Sequence, residues 1–320
     1  MSIHHPLLKL LSDTDYHSGS HLADKLQVSR AAVWKSVKAM QKLGIAIQGK
    51  HGKGYRLLQQ LDLLDEQQLK QHLNTPQPQL ELHTELPSTN LYLLERMQHE
   101  PIHARVVLCE YQSQGRGRRG RDWVSPFAAG LYLSIGWHFA APPASLNALS
   151  LASGVALIQA LQQLGVKPAL KWPNDIIADD AKLAGILIES RSETATSCDV
   201  IIGIGLNVRL DSRYRRGIDQ AVIDLASLTP KQVTRNQLAA AIINQQFSML
   251  HEVASHGPAS FIDTWRKFDY LSGKQAALDT GGKTLHGLVK GVDDNGLLLM
   301  SIDGVEQRFS SGEVSLRAAS

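Results

Sequence analysis

The spacing of hydrophobic residues changes twice along this 320-residue chain, and each change restricts the fold. Residues 1–60 have hydrophobic positions every three or four residues, which predicts helices. The middle of the chain mixes such stretches with short apolar runs that predict strands, and residues after 270 alternate between apolar and polar. We therefore predict an α+β multidomain protein: 1–60, a linker at 61–80, a large domain at 81–270 and a small domain at 271–320.

The first segment has the pattern of a winged helix-turn-helix. Ser18–Leu26 predicts one helix, and a short turn separates it from a second helix over Arg30–Leu43, for which Ser29 is a suitable N-cap. The basic, glycine-rich stretch Gly49–Gly54 predicts the tip of a β-hairpin, the wing. Cations beside a recognition helix and at a wing tip can meet DNA phosphates, whereas the alternative is a helical hairpin that packs on a partner protein. The candidate DNA-binding residues are Ser29, Arg30, Ala31, Trp34, Lys35, Lys38, Lys50 and Lys53.

The middle segment alternates strand and helix patterns. The predicted strands are Arg105–Glu110, Leu131–Phe139, Ala169–Lys171, Ile186–Glu189 and Val200–Ile204. The almost uniformly apolar stretch Leu146–Leu164 predicts a buried helix. These patterns predict a mixed or antiparallel sheet with helices on one face. After residue 270, turns at Asp294–Gly296 and Asp303–Gly304 predict a small SH3-like β-barrel.

Charge and cysteine content limit the function classes. The formal net charge is only +3, so any nucleic-acid-binding surface must be local. Cys109 and Cys198 lie far apart and do not have the spacing of a metal or redox motif. The sequence contains neither a signal-peptide core nor an apolar run of membrane-spanning length. We therefore expect a cytoplasmic protein that has no membrane partner.

The densest functional signal is the segment Gly115–Arg121, GRGRRGR, which we call the arginine loop. Glycines allow the backbone to approach a ligand, and arginines donate to phosphate or carboxylate. Such a loop is costly to order alone, so we expect it to be mobile until an anion binds. The alternative is an RNA-binding arginine–glycine tract, which a single occurrence between two strands disfavours. Because a P-loop motif is absent and no long helix follows the loop, neither a P-loop nor a Rossmann nucleotide site is predicted.

Three further motifs are weak signals alone. KWPND at 171–175 places a lysine, an asparagine and an aspartate around a turn, KLAGI begins at Lys182, and GIGLN ends at Asn207. Each of these could be purely structural, since glycines within strands also mark bulges. The residues themselves therefore indicate only a site for an anionic, phosphate-bearing ligand.

Taken in order, STN at 88–90, Gln112, the arginine loop, KWPND, KLAGI and GIGLN resemble the biotin–protein ligases along almost the whole chain. The winged helix resembles the bifunctional class, which also represses biotin synthesis. The resemblance implies a biotin/lipoate ligase-like central domain that activates biotin with Mg²⁺ and ATP as biotinyl-5′-AMP. It also implies transfer of biotin to a lysine of the biotin carboxyl carrier protein. The adenylate would serve as corepressor of a homodimer that binds operator DNA of the biotin genes.

The resemblance also implies roles for individual residues, with no metal ligand among them. The implied biotin-binding residues are Ser88, Thr89, Asn90, Gln112, Gly115, Arg116, Gly117, Arg118 and Lys182. The implied ATP- and adenylate-binding residues are Arg118, Arg119, Arg121, Trp123, Lys171, Asn174 and Asn207. The implied catalytic residues are Lys182, Lys171, Arg118 and Asp175. Two positions depart from the family pattern: Asp122 lies where a cation is expected, and Val124 where an aromatic residue is common. The affinity of this side of the loop for adenine can therefore differ.

Two other functions remain open at this point. A lipoate-protein ligase would share the fold, but would not be expected to carry the arginine loop or the winged helix. A ligand-sensing repressor without ligase activity would not need its lysines and arginine loop intact.

Overall fold

A computed structural model describes residues 3–74, 77–141, 145–194, 197–231, 233–280, 282–310 and 315–318. The helices are α1 His4–Leu10, α2 Gly19–Leu26, α3 Arg30–Lys42, α4 Glu66–His72, α5 Thr89–Arg96, α6 Leu146–Gln162, α7 Ser212–Arg215, α8 Leu225–Leu228, α9 Arg235–His256 and α10 Ala259–Lys267. The strands are β1 Ile47–Lys50, β2 Gly54–Leu57, β3 Gln79–Leu86, β4 Arg105–Gln112, β5 Gly130–Phe139, β6 Ala169–Lys171, β7 Asp175–Ala178, β8 Ala181–Thr194, β9 Ser197–Asn207, β10 Gln275–Asp279, β11 Thr284–Val292, β12 Leu298–Ile302, β13 Val305–Phe309 and β14 Ser315–Ala318.

The N-terminal segment folds as the predicted helix-turn-helix with a wing. The Ser29 hydroxyl caps α3 by accepting from the Ala32 N–H at 3.1 Å, and Gly44 follows the helix with a φ of +84°. Strands β1 and β2 pair antiparallel, with Gly49 opposite Tyr55 and Lys50 opposite Gly54. The wing tip is therefore only residues 51–53. The predicted tip of 49–54 was too long because its outer residues pair within the hairpin.

The central sheet is mixed and has seven strands in the order β3-β4-β5-β9-β8-β7-β6. Only β3 and β4 run parallel, and the other neighbours are antiparallel. Helices α6 and α9 pack on one face, in the same hydrophobic core as Val106 and Leu108. Helix α5 packs on the other face, where Leu93 joins Val107 and Cys109. The prediction that the helices pack on one face of the sheet was therefore wrong. Alternate residues of β4 point to opposite faces, and both faces are apolar, so each of them binds helices.

Residues 61–80, which the sequence predicts as a linker, contain the helix α4 and pack on the central domain. Leu64, Leu69 and Leu73 are buried in the core of the central sheet. The Leu64 N–H donates to the Glu110 carboxylate at 2.6 Å, and Glu110 pairs with Arg235 at 2.6 Å, with each side chain only 1% exposed. The segment is held in place because these leucines are buried and the Leu64 N–H is bonded to Glu110.

The C-terminal segment forms a five-stranded antiparallel sheet in the order β13-β12-β11-β10-β14, consistent with the predicted SH3-like fold. The predicted turn at 294–296 docks on the central domain. The Trp172 indole N–H donates to the Gly296 carbonyl at 3.0 Å, and the Ser145 hydroxyl donates to the Asn295 carbonyl at 2.9 Å. In the part of the chain that the structure describes, no helix is long and apolar enough to cross a membrane.

Candidate functional site

A cleft forms on the α5 face of the central sheet, above the middle of β8 and β9. Its floor contains Gly185, Gly203 and Gly205, which leave room above the strands. A Cβ at Gly203 would lie 2.1 Å from the Asn90 side-chain oxygen, and one at Gly205 would lie 2.4 Å from the Trp123 ring. The predicted site residues that line the cleft are Ser88, Thr89, Asn90, Gln112, Arg116, Gly117, Arg118, Arg121, Trp123, Asn174, Asp175 and Lys182.

One end of the cleft is a buried polar pocket made by the start of α5 and the end of β4. Ser88, Thr89 and Asn90 are each only 3% exposed. The Gln112 side-chain oxygen Oε1 accepts from the Thr89 backbone N–H at 2.9 Å, and the side-chain Nε2 of the same residue donates to the Ser125 hydroxyl at 2.9 Å. These bonds hold donors and acceptors in fixed orientations, which suits recognition of a small polar ring system.

The arginine loop folds over this pocket as a short hairpin. The Gly117 N–H donates to the Arg121 carbonyl at 2.6 Å, and the Trp123 N–H donates to the Gly115 carbonyl at 2.8 Å. Arg119 at the tip has a φ of +57°, in the left-handed region of backbone conformation. The loop is well bonded in this conformation, and its predicted mobility without ligand stays a prediction.

Trp123 lies across the glycine floor in this conformation. Its ring covers Gly185 and Gly205, and the Lys182 Nζ lies 5.4 Å from the ring centroid. Its indole N–H is buried and has no hydrogen-bond partner in the described residues. The remaining cavity volume is about 100 Å³, whereas small-molecule sites usually span roughly 300–1,000 Å³. A nucleotide-sized ligand therefore requires Trp123 and the loop to move.

The other end of the cleft carries its charge. The Lys182 Nζ lies 2.7 Å from the Asp175 carboxylate, and the two side chains are 14% and 17% exposed. Burial lowers the pKa of the Arg118 guanidinium, and the nearby Asp175 carboxylate offsets part of this effect because it favours the charged guanidinium. Four cationic side chains line the cleft against Asp122 and Asp175, so the cleft favours an anion.

Four predicted site residues do not line the cleft. Gly115 is buried in the stem of the loop, and Arg119 instead pairs with Asp279 of the C-terminal domain at 3.6 Å. Lys171 lies on the edge strand β6, opposite Asp175 in register. The Asn207 amide donates to the Ile223 carbonyl at 3.1 Å, which holds that segment beside Lys182. Direct ligand contact by these residues would need a different conformation.

Sequence reasoning missed several residues that complete the site. Gln220 lines the cleft from the segment after α7. Ser134 and Glu189 bond to Asn90 from β5 and β8, and Ser125 bonds to Gln112. Their only sequence signal was a polar residue within or next to a strand.

The second candidate surface is the exposed face of α3 and the wing. Trp34, one of the candidate DNA-binding residues, is 51% exposed. The other candidate DNA-binding side chains on α3 are also exposed: Arg30, Ala31, Lys35 and Lys38. In the wing, the Lys53 Nζ and the Arg56 guanidinium lie over the Tyr16 ring at 5.9 and 4.7 Å. Arg56 is a cation of this surface that the sequence analysis missed.

The described residues contain no cluster of three or more His, Cys, Asp or Glu side chains arranged to hold a metal ion. Cys109 and Cys198 are both buried and free. Burial raises the pKa of the Cys109 thiol far above its usual range, so it is not a nucleophile here.

Comparison with known proteins assigns a family to each segment. Residues 5–56 match the HTH domain family, residues 83–207 match the Biotin/lipoate A/B protein ligase family, and residues 271–317 match the Biotin protein ligase C terminal domain.

Comparison with whole proteins gives the same result over nearly the full length. A bifunctional ligase/repressor BirA of Salmonella typhimurium is 36% identical over 318 residues, covering 98% of this chain and 97% of the relative. The Escherichia coli protein of the same name is 35% identical with the same coverage. Among solved structures, the biotin protein ligase of Aquifex aeolicus in complex with biotin and ATP is similar, with a TM-score of 0.64 and 25% identity over 75% of this chain and 99% of that one. The chain therefore belongs to the family of bifunctional biotin ligase/repressors.

Proposed function

We propose that the chain activates biotin with Mg·ATP as biotinyl-5′-AMP and transfers biotin to a lysine of the biotin carboxyl carrier protein. One observation carries the proposal: a single cleft joins a buried polar pocket at Ser88–Asn90 to a cationic end at Lys182, beneath the arginine loop. The carboxylate of a ligand whose ring occupies the pocket would then point towards the cations. The similarity to ligases whose names include biotin supports this assignment.

In the first step, a biotin carboxylate oxygen attacks the α-phosphorus of ATP, and the bond to the β-phosphate breaks to release pyrophosphate. Both reactants are anions, so the barrier falls when fixed cations surround the developing charge. Lys182 lies at the charged end of the cleft, and Arg118 and Arg121 line the same cleft. Magnesium would enter with the ATP phosphates, since among the described residues Asp122 and Asp175 are the two carboxylates that line the cleft.

In the second step, the amine of the carrier lysine attacks the acyl carbon of the mixed anhydride. The bond from that carbon to the phosphate oxygen breaks, the nitrogen loses a proton, and AMP leaves. Holding the adenylate rigidly under the arginine loop lowers the entropic part of this barrier and excludes water. Asp175, which pairs with Lys182 at 2.7 Å, would help to position either the metal-nucleotide or the incoming amine.

We further propose that the adenylate is the corepressor of a cytoplasmic homodimer that binds operator DNA of the biotin genes. One winged helix presents few cations, so a monomer would bind mainly through phosphates. A dimer would double the contacts and fix the half-site spacing. The exposed α3 face with Trp34, Lys35 and Lys38 supports this role.

The direct test mixes purified protein with radiolabelled biotin and ATP, and then adds biotin carboxyl carrier protein. The expected result is a tightly retained adenylate, pyrophosphate release, and label transferred to one carrier lysine. Retained biotin without pyrophosphate release would identify a ligand sensor that lacks ligase activity. Labelling by lipoate in preference to biotin would indicate a lipoate-protein ligase.

A further inference from the structure

Glu189 lies outside every motif in the sequence, yet it bonds to two parts of the site at once. It is a residue of β8 with a side chain 21% exposed. One carboxylate oxygen accepts from the Asn90 side-chain amide at 2.9 Å, and the other lies 3.5 Å from the Arg116 guanidinium. It therefore joins the polar pocket to the arginine loop.

The bond to Glu189 fixes which end of the Asn90 amide faces which neighbour. The Asn90 nitrogen donates to the Glu189 carboxylate and, at 3.3 Å, to the Leu187 carbonyl. A carboxylate and a carbonyl can only accept, so the amide nitrogen must face them. The amide oxygen is then left on the opposite side, where it accepts from the buried Ser134 hydroxyl at 2.5 Å.

An asparagine held in this way offers the pocket an acceptor and no free N–H. Both of its amide hydrogens are engaged, and its oxygen retains a second lone pair. A pocket with a fixed acceptor favours a ligand that brings an N–H, because such a ligand can donate to the second lone pair of this oxygen, which Ser134 does not use. The ureido ring of biotin carries two N–H groups, whereas the dithiolane ring of lipoate has none.

We propose that Glu189 is a positioning residue that sets the acceptor orientation of Asn90 and thereby selects a ureido ligand over a dithiolane one. This inference rests on the proposed function, because it concerns the same pocket. Glu189 does not contact the reacting atoms, so it should act on ligand affinity and selectivity and leave the chemical step unaffected.

The test compares Glu189→Gln with Glu189→Ala. Glutamine keeps an oxygen that can accept from Asn90 but loses the charge that pairs with Arg116, whereas alanine loses both interactions. Glu189→Ala should raise the KM for biotin about tenfold, the range expected from loss of one hydrogen bond to a charged group. The kcat of Glu189→Ala should stay near that of the unchanged protein, and its preference for biotin over lipoate should fall. For Glu189→Gln, both the KM for biotin and the preference should lie close to those of the unchanged protein. Glu306→Ala, at an exposed position of β13, is the matched control.

Equal KM values for Glu189→Ala and the unchanged protein would overturn the inference. An equal rise in both variants would also overturn it, since the Arg116 contact and not the Asn90 orientation would then carry the effect. A fall in the kcat of Glu189→Ala at constant KM would also contradict the positioning role, because the residue would then affect the chemical step and not ligand binding. If the unchanged protein formed no biotinyl adenylate at all, the proposed function itself would fail, which is a different outcome from all of these.

Discussion

Replacing Lys182 with alanine should slow adenylate formation, because it removes a largely buried cation from the cleft. The Lys182 Nζ lies 2.7 Å from Asp175, and both side chains are largely buried, so their charges are poorly screened. A hydrogen bond to a charged group contributes about 1.5–3 kcal/mol. Since 1.4 kcal/mol is about tenfold, we expect a loss of about ten- to a hundredfold.

The structure adds a second consequence, because the substitution also leaves Asp175 without its 2.7 Å cation. The remaining carboxylate would then repel the biotin carboxylate and the phosphates. Adding Asp175→Asn to Lys182→Ala should therefore recover part of the lost rate. An additive or larger loss in the double variant would refute this reasoning.

The assay measures pyrophosphate release at saturating biotin and ATP for the first step. For the second step it measures label transfer from synthetic biotinyl-5′-AMP to the carrier protein. Lys290→Ala, at an exposed lysine of β11, is the control for a lost positive charge. Unchanged rates of both steps in Lys182→Ala would remove the role assigned to this lysine.

Three further predictions address the pocket, the fold and the DNA surface. Gly203→Ala places a methyl group 2.1 Å from the Asn90 side-chain oxygen and should displace that amide. Because misplacement of a site group by about 1 Å can reduce catalysis about a hundredfold, we expect kcat/KM for biotin to fall by about that factor while the circular dichroism spectrum is unchanged. An unchanged kcat/KM would contradict the pocket assignment. Burial raises the pKa of Asp269 from 3.8 to about 6, so its favourable contribution to the free energy of unfolding is present below pH 4 and is lost as the pH rises through about 6. Asp269→Asn should therefore stabilise the protein by about 3 kcal/mol or less at pH 8 and have little effect at pH 4, as thermal melts at the two values would report; equal effects at both would refute the shift. Lys38→Ala should weaken operator binding, lower the salt slope by about one and spare biotinylation, whereas an unchanged slope would exclude a phosphate contact.

Most of the fold was predictable because hydrophobic period is a local property of the sequence. The helix-turn-helix, the long apolar helix α6 and the C-terminal hairpins all have the period and turn residues of their structure. Strand β3 was missed although its Leu80, Leu82 and Leu86 have the two-residue period of a strand, since only these three of its eight residues are apolar. The helix on the second face could not be placed either, since its sheet partners are set by strand order and not by the helix sequence.

The site was predictable where chemistry is dense along the chain, as in the arginine loop and around Lys182. The site was not predictable where a residue reaches it only because of how neighbouring strands pair. Glu189 and Ser134 look like ordinary strand residues, and only the pairing of β8 and β5 with β9 brings both of them to Asn90. For Asn207 the sequence suggested a functional role that the structure does not show. Its motif suggested ligand contact, whereas its side-chain amide donates to the Ile223 carbonyl.

The most direct test of a biotin-switched repressor is an operator titration with and without biotin plus ATP, with sedimentation run at the same protein concentrations. The ligand can shift the dimer equilibrium only if it binds dimer and monomer with different affinity. We predict that operator affinity and dimer fraction rise together when both ligands are added, and that binding weakens steeply with salt. Tight, specific operator binding by the unliganded monomer would contradict the account and leave a ligase with a DNA-binding domain but no biotin switch.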